Sequence, residues 1–154
     1  MEERKPLKRH KALQPFSREH HHGLLLCWKI RKGFLSKVDP VRIKAYSDWF
    51  YKTHLIPHFT DEEKFIFPIL GEEHEHIKKA MTEHRRLARL FDDQEDIARN
   101  LNRIEEELER HIRFEERVLF PEIQDIATPK QMEQMTEMHD SVTFKENSED
   151  PFWL

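Results

Sequence analysis

At 154 residues the chain is long enough to bury one sizeable core and too short for several domains. Charged residues make up 36% of it and hydrophobic ones 37%, with only three glycines, which suits exposed amphipathic helices and argues against a sheet. A formal net charge of -4 offers no global basic field for nucleic acid; the single cysteine, Cys27, excludes an internal disulfide framework and fits a reducing compartment. The longest apolar stretch, Leu24 to Trp28, is far too short to span a bilayer. These features predict a soluble, cytoplasmic protein without nucleic-acid or membrane partners. Eleven histidines are the compositional outlier.

Residues 1–15 carry Arg4, Lys5, Lys8, Arg9 and Lys11 against Glu2 and Glu3 and read as a basic, solvated lead-in ending at Pro15. Ser17 then reads as a helix N-cap, with Glu19 in the first turn where the helix dipole favours an acid. The predicted first helix runs to about Phe34, and its apolar seam passes through Phe16, His20, Gly23, Cys27, Ile30 and Phe34. Asp39 and Pro40 restart the chain as N-cap and first helical residue. This second helix is expected to continue to about Phe67, kinked next to His58 by Pro57, which removes a backbone hydrogen bond. Its seam is Tyr51, Leu55, His58, Glu62, Phe65, Ile69.

Pro68 and Gly71 end that helix, and EEHEHIKK opens a third with the seam Ile77, Met81, His84, Ala88, Phe91. The run DDQED, residues 92–96, separates it from a fourth helix predicted to reach about Phe120, with the seam Ile97, Leu101, Ile104, Leu108, His111, Glu115, Val118. Thr128 and Pro129 cap a short fifth helix ending near His139. Residues 140–154 turn acidic and irregular, a partly ordered tail whose Phe152, Trp153 and Leu154 are able to dock back. The expected organisation is a basic arm at 1–15, a helical domain at 16–139 and an acidic tail at 140–154.

One stretch occurs twice. HFTDEEKFIFP (His58 to Pro68) and HIRFEERVLFP (His111 to Pro121) both read His, three residues, Glu, Glu, a basic residue, two large apolar residues, Phe, Pro. Residues i and i+4 of a helix share one face, so His58 with Glu62 and His111 with Glu115 are stacked pairs on the seam. The repeat extends further, because Glu19-His20 on the first helix matches Glu83-His84 on the third. The chain is thus two helical hairpins, each supplying His, His, Glu. Short connections favour antiparallel neighbours, which predicts an all-α, up-down-up-down antiparallel four-helix bundle with a short C-terminal fifth helix. In such a bundle His20, His58, Glu62, His84, His111 and Glu115 converge on one interior level.

Buried carboxylates are costly unless paired or coordinating a metal. Four imidazoles and two carboxylates are too many donors for one ion and suit two ions sharing the carboxylates. A nitrogen and oxygen set without thiolate leans toward iron, with zinc or manganese as alternatives.

SREHHHGLLL, HFTDEEKFIFP, TEHRRL and HIRFEERVLFP together resemble the hemerythrin-like, or HHE cation-binding, family over roughly residues 15–126. The resemblance implies a four-helix bundle holding two non-haem iron ions, bridged by two carboxylates and an oxo or hydroxo group. Position by position it makes His20, His58, Glu62, His84, His111 and Glu115 the ligands. Members carry oxygen, sense oxygen, redox state or iron, handle iron, or respond to nitric oxide and damaged iron clusters, so the expected ligand is dioxygen or another small diatomic. Oxygen-carrying members have a fifth histidine one turn from the third-helix ligand, where this chain has Ala80 and Ala88. That departure puts reversible oxygen carriage in doubt; His54, one turn before His58, is a candidate substitute or outer partner, and a solvated or core-packed role is its alternative.

The leading reading is therefore a di-iron module for oxygen, redox or nitric oxide sensing or for iron handling. Its alternatives are a metal-dependent enzyme of peroxide, nitric oxide or hydrolytic chemistry, and a metal-stabilised interaction domain whose contact surfaces are the basic arm and the C-terminal tail. No nucleophile or phosphate-binding loop accompanies the histidines, which weighs against the enzyme. His21 competes with His20 because helix phase is uncertain by a residue; His22 reads as surface or outer sphere. His10, His74, His76 and His139 are expected to be exposed, and Glu63 and Glu116 to be solvated acids or partners of nearby bases.

Overall fold

In the computed structural model, which describes residues 8–139 and 144–154, the described residues form helices and no strand. The basic residues Arg4 and Lys5 and the start of the acidic tail, residues 140–143, lie outside the described residues.

Helix α1 (Gln14–Leu35) begins three residues before Ser17. Proline is tolerated in a first turn, where its missing N–H has no intrahelical partner, so Pro15 starts the helix instead of preceding it. The N–H groups of Leu13 and Gln14 donate to the carbonyl of His10 and tie the lead-in to the helix. Ala12 and Leu13 are buried, so this end of the expected solvated arm is part of the core.

Helix α2 (Pro40–Phe50) is capped as expected, the Asp39 carboxylate accepting from the Val41 N–H at 3.0 Å. The chain stays helical through a π turn (Tyr51–Leu55), α3 (Ile56–Asp61), a second π turn (Glu62–Ile66) and a 3-10 turn (Phe67–Ile69). The disturbance expected at Pro57 takes this form: the π turn ahead of it closes with the Ile56 N–H on the Tyr51 carbonyl. Gly71, at φ 90°, supplies the left-handed turn that leads into α4 (Glu75–Asp92).

Helix α5 (Ile97–Phe114) continues into a π turn (Glu115–Leu119) and α6 (Phe120–Ile126), past the Phe120 expected to end it. Pro121 comes after the π turn, in the first turn of α6, and so breaks nothing. Helix α7 (Pro129–Met138) carries a full capping box between Thr128 and Gln131. No described helix is long and apolar enough to cross a membrane.

The core has two apolar bodies. One contains Leu26, Ile30, Phe50, Phe59, Leu87, Phe91, Leu101, Ile104, Leu108 and Ile112. The other contains Leu13, Phe16, Ile66, Phe67, Ile77, Ala80, Leu119, Phe120 and Met135. Along each of the four long helical segments the chain passes from one body to the other, and a histidine or a histidine-glutamate pair sits at the crossing. Gly23 permits the close approach of α1 to α5, since a Cβ there would lie 2.7 Å from Ile112 Cδ1. The far end of the chain also packs: Phe152 is buried beside Gly33, Lys29 Nζ lies 4.1 Å from the Trp153 ring centre, and Arg42 makes two hydrogen bonds to Asp150.

Candidate metal centre

His20, His58, Glu62, His84, His111 and Glu115 meet in the layer between the two apolar bodies, and all six are buried, Glu62 and Glu115 completely. Each glutamate is the first residue of a π turn. An extra residue in a helical turn re-aims the side chains beyond it, and such turns recur at functional sites. Here both fall at the same place in the repeated motif.

The donors form two groups of four that share both carboxylates. His20, His58, Glu62 and Glu115 each offer an atom within 4.8 Å of the others, and so do Glu62, His84, His111 and Glu115. His58 Nε2 lies 3.3 Å and His84 Nε2 3.2 Å from Glu62 Oε1. His111 Nε2 lies 3.1 Å and His20 Nε2 3.0 Å from Glu115 Oε1. Only the last is a formed hydrogen bond. The Nε2 atoms of His58, His84 and His111, both oxygens of Glu62 and Glu115 Oε2 are buried without a hydrogen-bond partner. Burying so many unsatisfied polar atoms is unfavourable, and their lone pairs face a common interior. The donor set fits cations that accept imidazole nitrogen and carboxylate oxygen together.

The outer nitrogens explain why the Nε2 atoms point inward. His58 Nδ1 bonds to Glu19 at 2.8 Å, His84 Nδ1 to Glu63 at 2.9 Å, His111 Nδ1 to Glu83 at 2.8 Å and His20 Nδ1 to Glu116 at 2.7 Å. A carboxylate on Nδ1–H fixes ring orientation and tautomer and leaves the Nε2 lone pair free. The four contacts form a closed ring, in which the acid adjacent to one helix's inner residue holds the histidine of the next helix. Glu63 and Glu116, expected to be solvated, are half of that ring. The overlooked signal is positional: every one of the four acids is next in sequence to an inner-layer residue.

The charges match this arrangement. Burial opposes a charged imidazole, yet the surrounding carboxylates prevail: His58, beside Glu62 and Glu19, and His111, beside Glu115 and Glu83, are each pushed up to about 9. Against the same burial, His20 is raised well above its ordinary value by its hydrogen bonds to Glu115 and Glu116 and by the nearby Glu62 carboxylate. Burial would raise the Glu62 carboxyl, but His58, His20 and His84 hold it well below the usual range.

Other histidines separate cleanly. His21 is exposed, so the phase of α1 selects His20. His54 packs among Trp49, Phe50 and Phe144, with ring centres 5.2, 5.3 and 4.8 Å away, and joins neither donor group. His22 stacks on Phe144 at 4.1 Å. Tyr51 stacks on Phe91 at 4.3 Å and takes a packing role. His139 is a correction: expected to be exposed, its side chain is almost wholly buried, stacked on Phe16 at 4.1 Å, bonded to Asp61 at 3.0 Å and 3.5 Å from Glu19. The aromatic wall of Phe16 and the two acids together are what let an imidazole leave water at that place.

No curated protein and no solved structure matches the chain. The family model of the hemerythrin HHE cation binding domain matches residues 69–144, which hold His84, Glu83, His111, Glu115 and Glu116. The match leaves out the first hairpin, whose Glu19, His20, His58, Glu62 and Glu63 repeat the same pattern. Residues 69–144 thus match the hemerythrin-like, HHE cation-binding family.

Proposed function

We propose that this chain is a non-haem di-iron protein whose centre meets dioxygen or another small diatomic ligand, in sensing or in iron handling. The observation that carries the reading is the pair of four-donor groups sharing Glu62 and Glu115, with three of the four Nε2 atoms and three of the four carboxylate oxygens buried and unpartnered. His20 and His58 would hold one ion, His84 and His111 the other, and the two glutamates both.

The bundle that supports this reading is up-down-up-down and antiparallel. Its support is the order of crossing: α1 runs from the Phe16 body to the Leu26 body, the next segment from Phe59 to Ile66, α4 from Ala80 to Leu87, and α5 from Ile112 to Leu119, alternating each time. Such alternation is what short-looped antiparallel neighbours produce.

Iron with four protein donors keeps positions for a small ligand and supplies electrons to it. The protein's own part is to orient and to exclude water. The outer ring of glutamates holds each imidazole with Nε2 inward, and Phe59 and Phe120 pack flat on His84 and His20 at 3.9 and 5.2 Å. Small residues at Ala80 and Ala88, and the remoteness of His54, leave no fifth histidine near the His84 side.

Elemental analysis of the purified protein, with absorption spectra of the reduced protein before and after oxygen or nitric oxide, tests the reading. About two irons per chain and a ligand-induced spectral change are expected. Zinc, or no metal after anaerobic loading with ferrous iron, would overturn it.

A further inference from the structure

A second cluster of metal-ligating side chains lies outside the buried layer. His74 caps α4, His76 sits in the first turn of that helix, and Glu122 sits in the first turn of α6. One donor atom from each lies within 4.8 Å of the other two. His76 Nδ1 is 2.9 Å from Glu122 Oε1, His74 Nε2 is 3.5 Å from Glu122 Oε2, and the two ring centres are 5.3 Å apart. His76 Nδ1 and Glu122 Oε2 are nevertheless shielded from solvent with no hydrogen-bond partner. The 2.9 Å separation of His76 Nδ1 and Glu122 Oε1 is within hydrogen-bonding reach, yet His76 Nδ1 and Glu122 Oε2 go unsatisfied within the protein, which leaves both available to a cation. Phe114, with its ring centre 5.6 Å from that of His76, sets the edge against which His76 packs.

We propose that His74, His76 and Glu122 form a second, mononuclear site for a divalent first-row transition-metal ion, distinct from the buried pair. Two imidazoles and one carboxylate without thiolate suit zinc or ferrous iron. Each of the three side chains is about one third exposed, so water completes the coordination. The site stands apart from the buried centre, since the eight residues from His76 to His84 span about 12 Å of helix.

Two features oppose the site and define its shape. The positive end of the α4 dipole repels a cation, and the carboxylates of Glu122 and Glu75 offset it. His74 Nδ1 accepts from the His76 N–H at 3.1 Å, so the neutral ring carries its proton on Nε2. Coordination through Nε2 moves that proton to Nδ1 and gives up the cap. His76 and Glu122 are therefore the anchors, and His74 completes the set.

Zinc binding by equilibrium dialysis, followed by elemental analysis, tests the proposal on the full chain. The native protein is expected to bind one Zn2+ more per chain than His76→Ala or Glu122→Ala, whatever occupies the buried centre. Glu122→Gln, which keeps the shape of the side chain, is expected to lose the same ion, and helical circular dichroism verifies that each variant is folded. His74→Asn retains a capping oxygen without an imidazole and should weaken this ion about tenfold or more. Equal zinc counts in the native protein and the His76 and Glu122 variants would overturn the site, and undiminished binding in His74→Asn would remove His74 from it. Because the readout is a difference between variants, failure of the di-iron reading leaves this result interpretable.

Discussion

The two halves of the buried centre are alike at their inner faces and unlike behind them. On one side Glu19, which holds His58, lies 3.5 Å from His139, a ring fixed in turn by its bond to Asp61, and Glu116, which holds His20, is held by Arg9 at 2.9 Å; the outer groups on this side are thus His139 and Arg9. Both of those outer groups come from segments beyond the repeat, the lead-in and the residue after α7. On the other side Glu83, which holds His111, is paired with Lys79, a half-exposed residue one turn away on α4. Glu63, which holds His84, has no second ionic partner among the described residues and lines a cavity of about 680 Å³ with Phe67, Ile77, Met81 and Arg85. Duplication thus accounts for the donors, whereas the segments added around the repeat decide how firmly each half is braced. The His20 and His58 half should be the rigid one and the His84 and His111 half the exchangeable one.

The largest expected effect comes from the carboxylates that both halves share. Glu62→Ala and Glu115→Ala should each reduce loading from two ions per chain to one or none, measured by mass spectrometry of the intact protein. Two ions retained in either variant would remove that glutamate from the shared set.

Next in size is the response to pH, where the metal-free and loaded proteins should diverge. His58 and His111 have ordinary values near 6.5 and are raised to about 9 in the folded, metal-free chain. Folding thus favours their protonated forms, and this stability is fully present below about 6.5 and lost as pH rises through about 9. Metal requires these rings neutral, so uptake releases protons and affinity climbs across the same interval, by up to about 100-fold per pH unit if both protons leave together. The melting temperature of the chelated protein should fall between about pH 7 and pH 9.5 while the increment given by metal grows. A metal-free protein whose stability is flat across that window would contradict the charge state described here.

The bracing itself is tested by Glu63→Ala against Glu19→Ala. Outer partners of a metal-bound histidine contribute about 10- to 100-fold in affinity. Either variant should weaken one ion of the two, and Glu63→Ala should in addition speed removal of that ion by a chelator, because it opens the layer to the adjoining cavity. Equal extraction rates in the two variants would abolish the proposed difference between the halves.

Much of this is legible in the sequence. The i, i+4 spacing of His58 with Glu62 and of His111 with Glu115, set on apolar seams, carries the inner layer, and the burial of all six residues agrees with that spacing. The ring of outer glutamates is not legible, because Glu63 and Glu116 sit one position off the seam, where a solvated acid is the ordinary outcome. What makes them partners is the neighbouring helix, and its rotation is a tertiary fact. Pro57 reads as a kink, and the fourth helix reads as reaching only about Phe120; π turns ahead of Pro57 and Pro121 absorb the missing N–H, a choice that local propensity does not encode. His139 escapes the sequence for a related reason, since its burial depends on Phe16 and Asp61, both distant along the chain.

The smallest effects separate the two kinds of brace. The His139 side chain is nearly buried, and its removal takes from Asp61 its hydrogen bond and from Glu19 a neighbouring imidazole, while Glu19 keeps His58. The carboxyl of Glu19, opposed by burial but held at about 2 by the neighbouring imidazoles of His139 and His58, reports how strongly that position depends on its neighbours. His139→Ala should cost about 1–3 kcal/mol in denaturant unfolding, the range for orphaning a buried hydrogen-bonding group, and should loosen the ion on the His58 side. Lys79 is 46% exposed and pairs with Glu83 across one helical turn, a geometry worth about 0.2–1 kcal/mol because water and salt screen it and the side chain loses entropy on pairing. Lys79→Ala should therefore move stability by less than His139→Ala does and leave both ions bound, with any difference vanishing at high salt. If the lysine variant released an ion as readily as the histidine variant, bracing would be uniform around the ring, and the division into a rigid and an exchangeable half would fall.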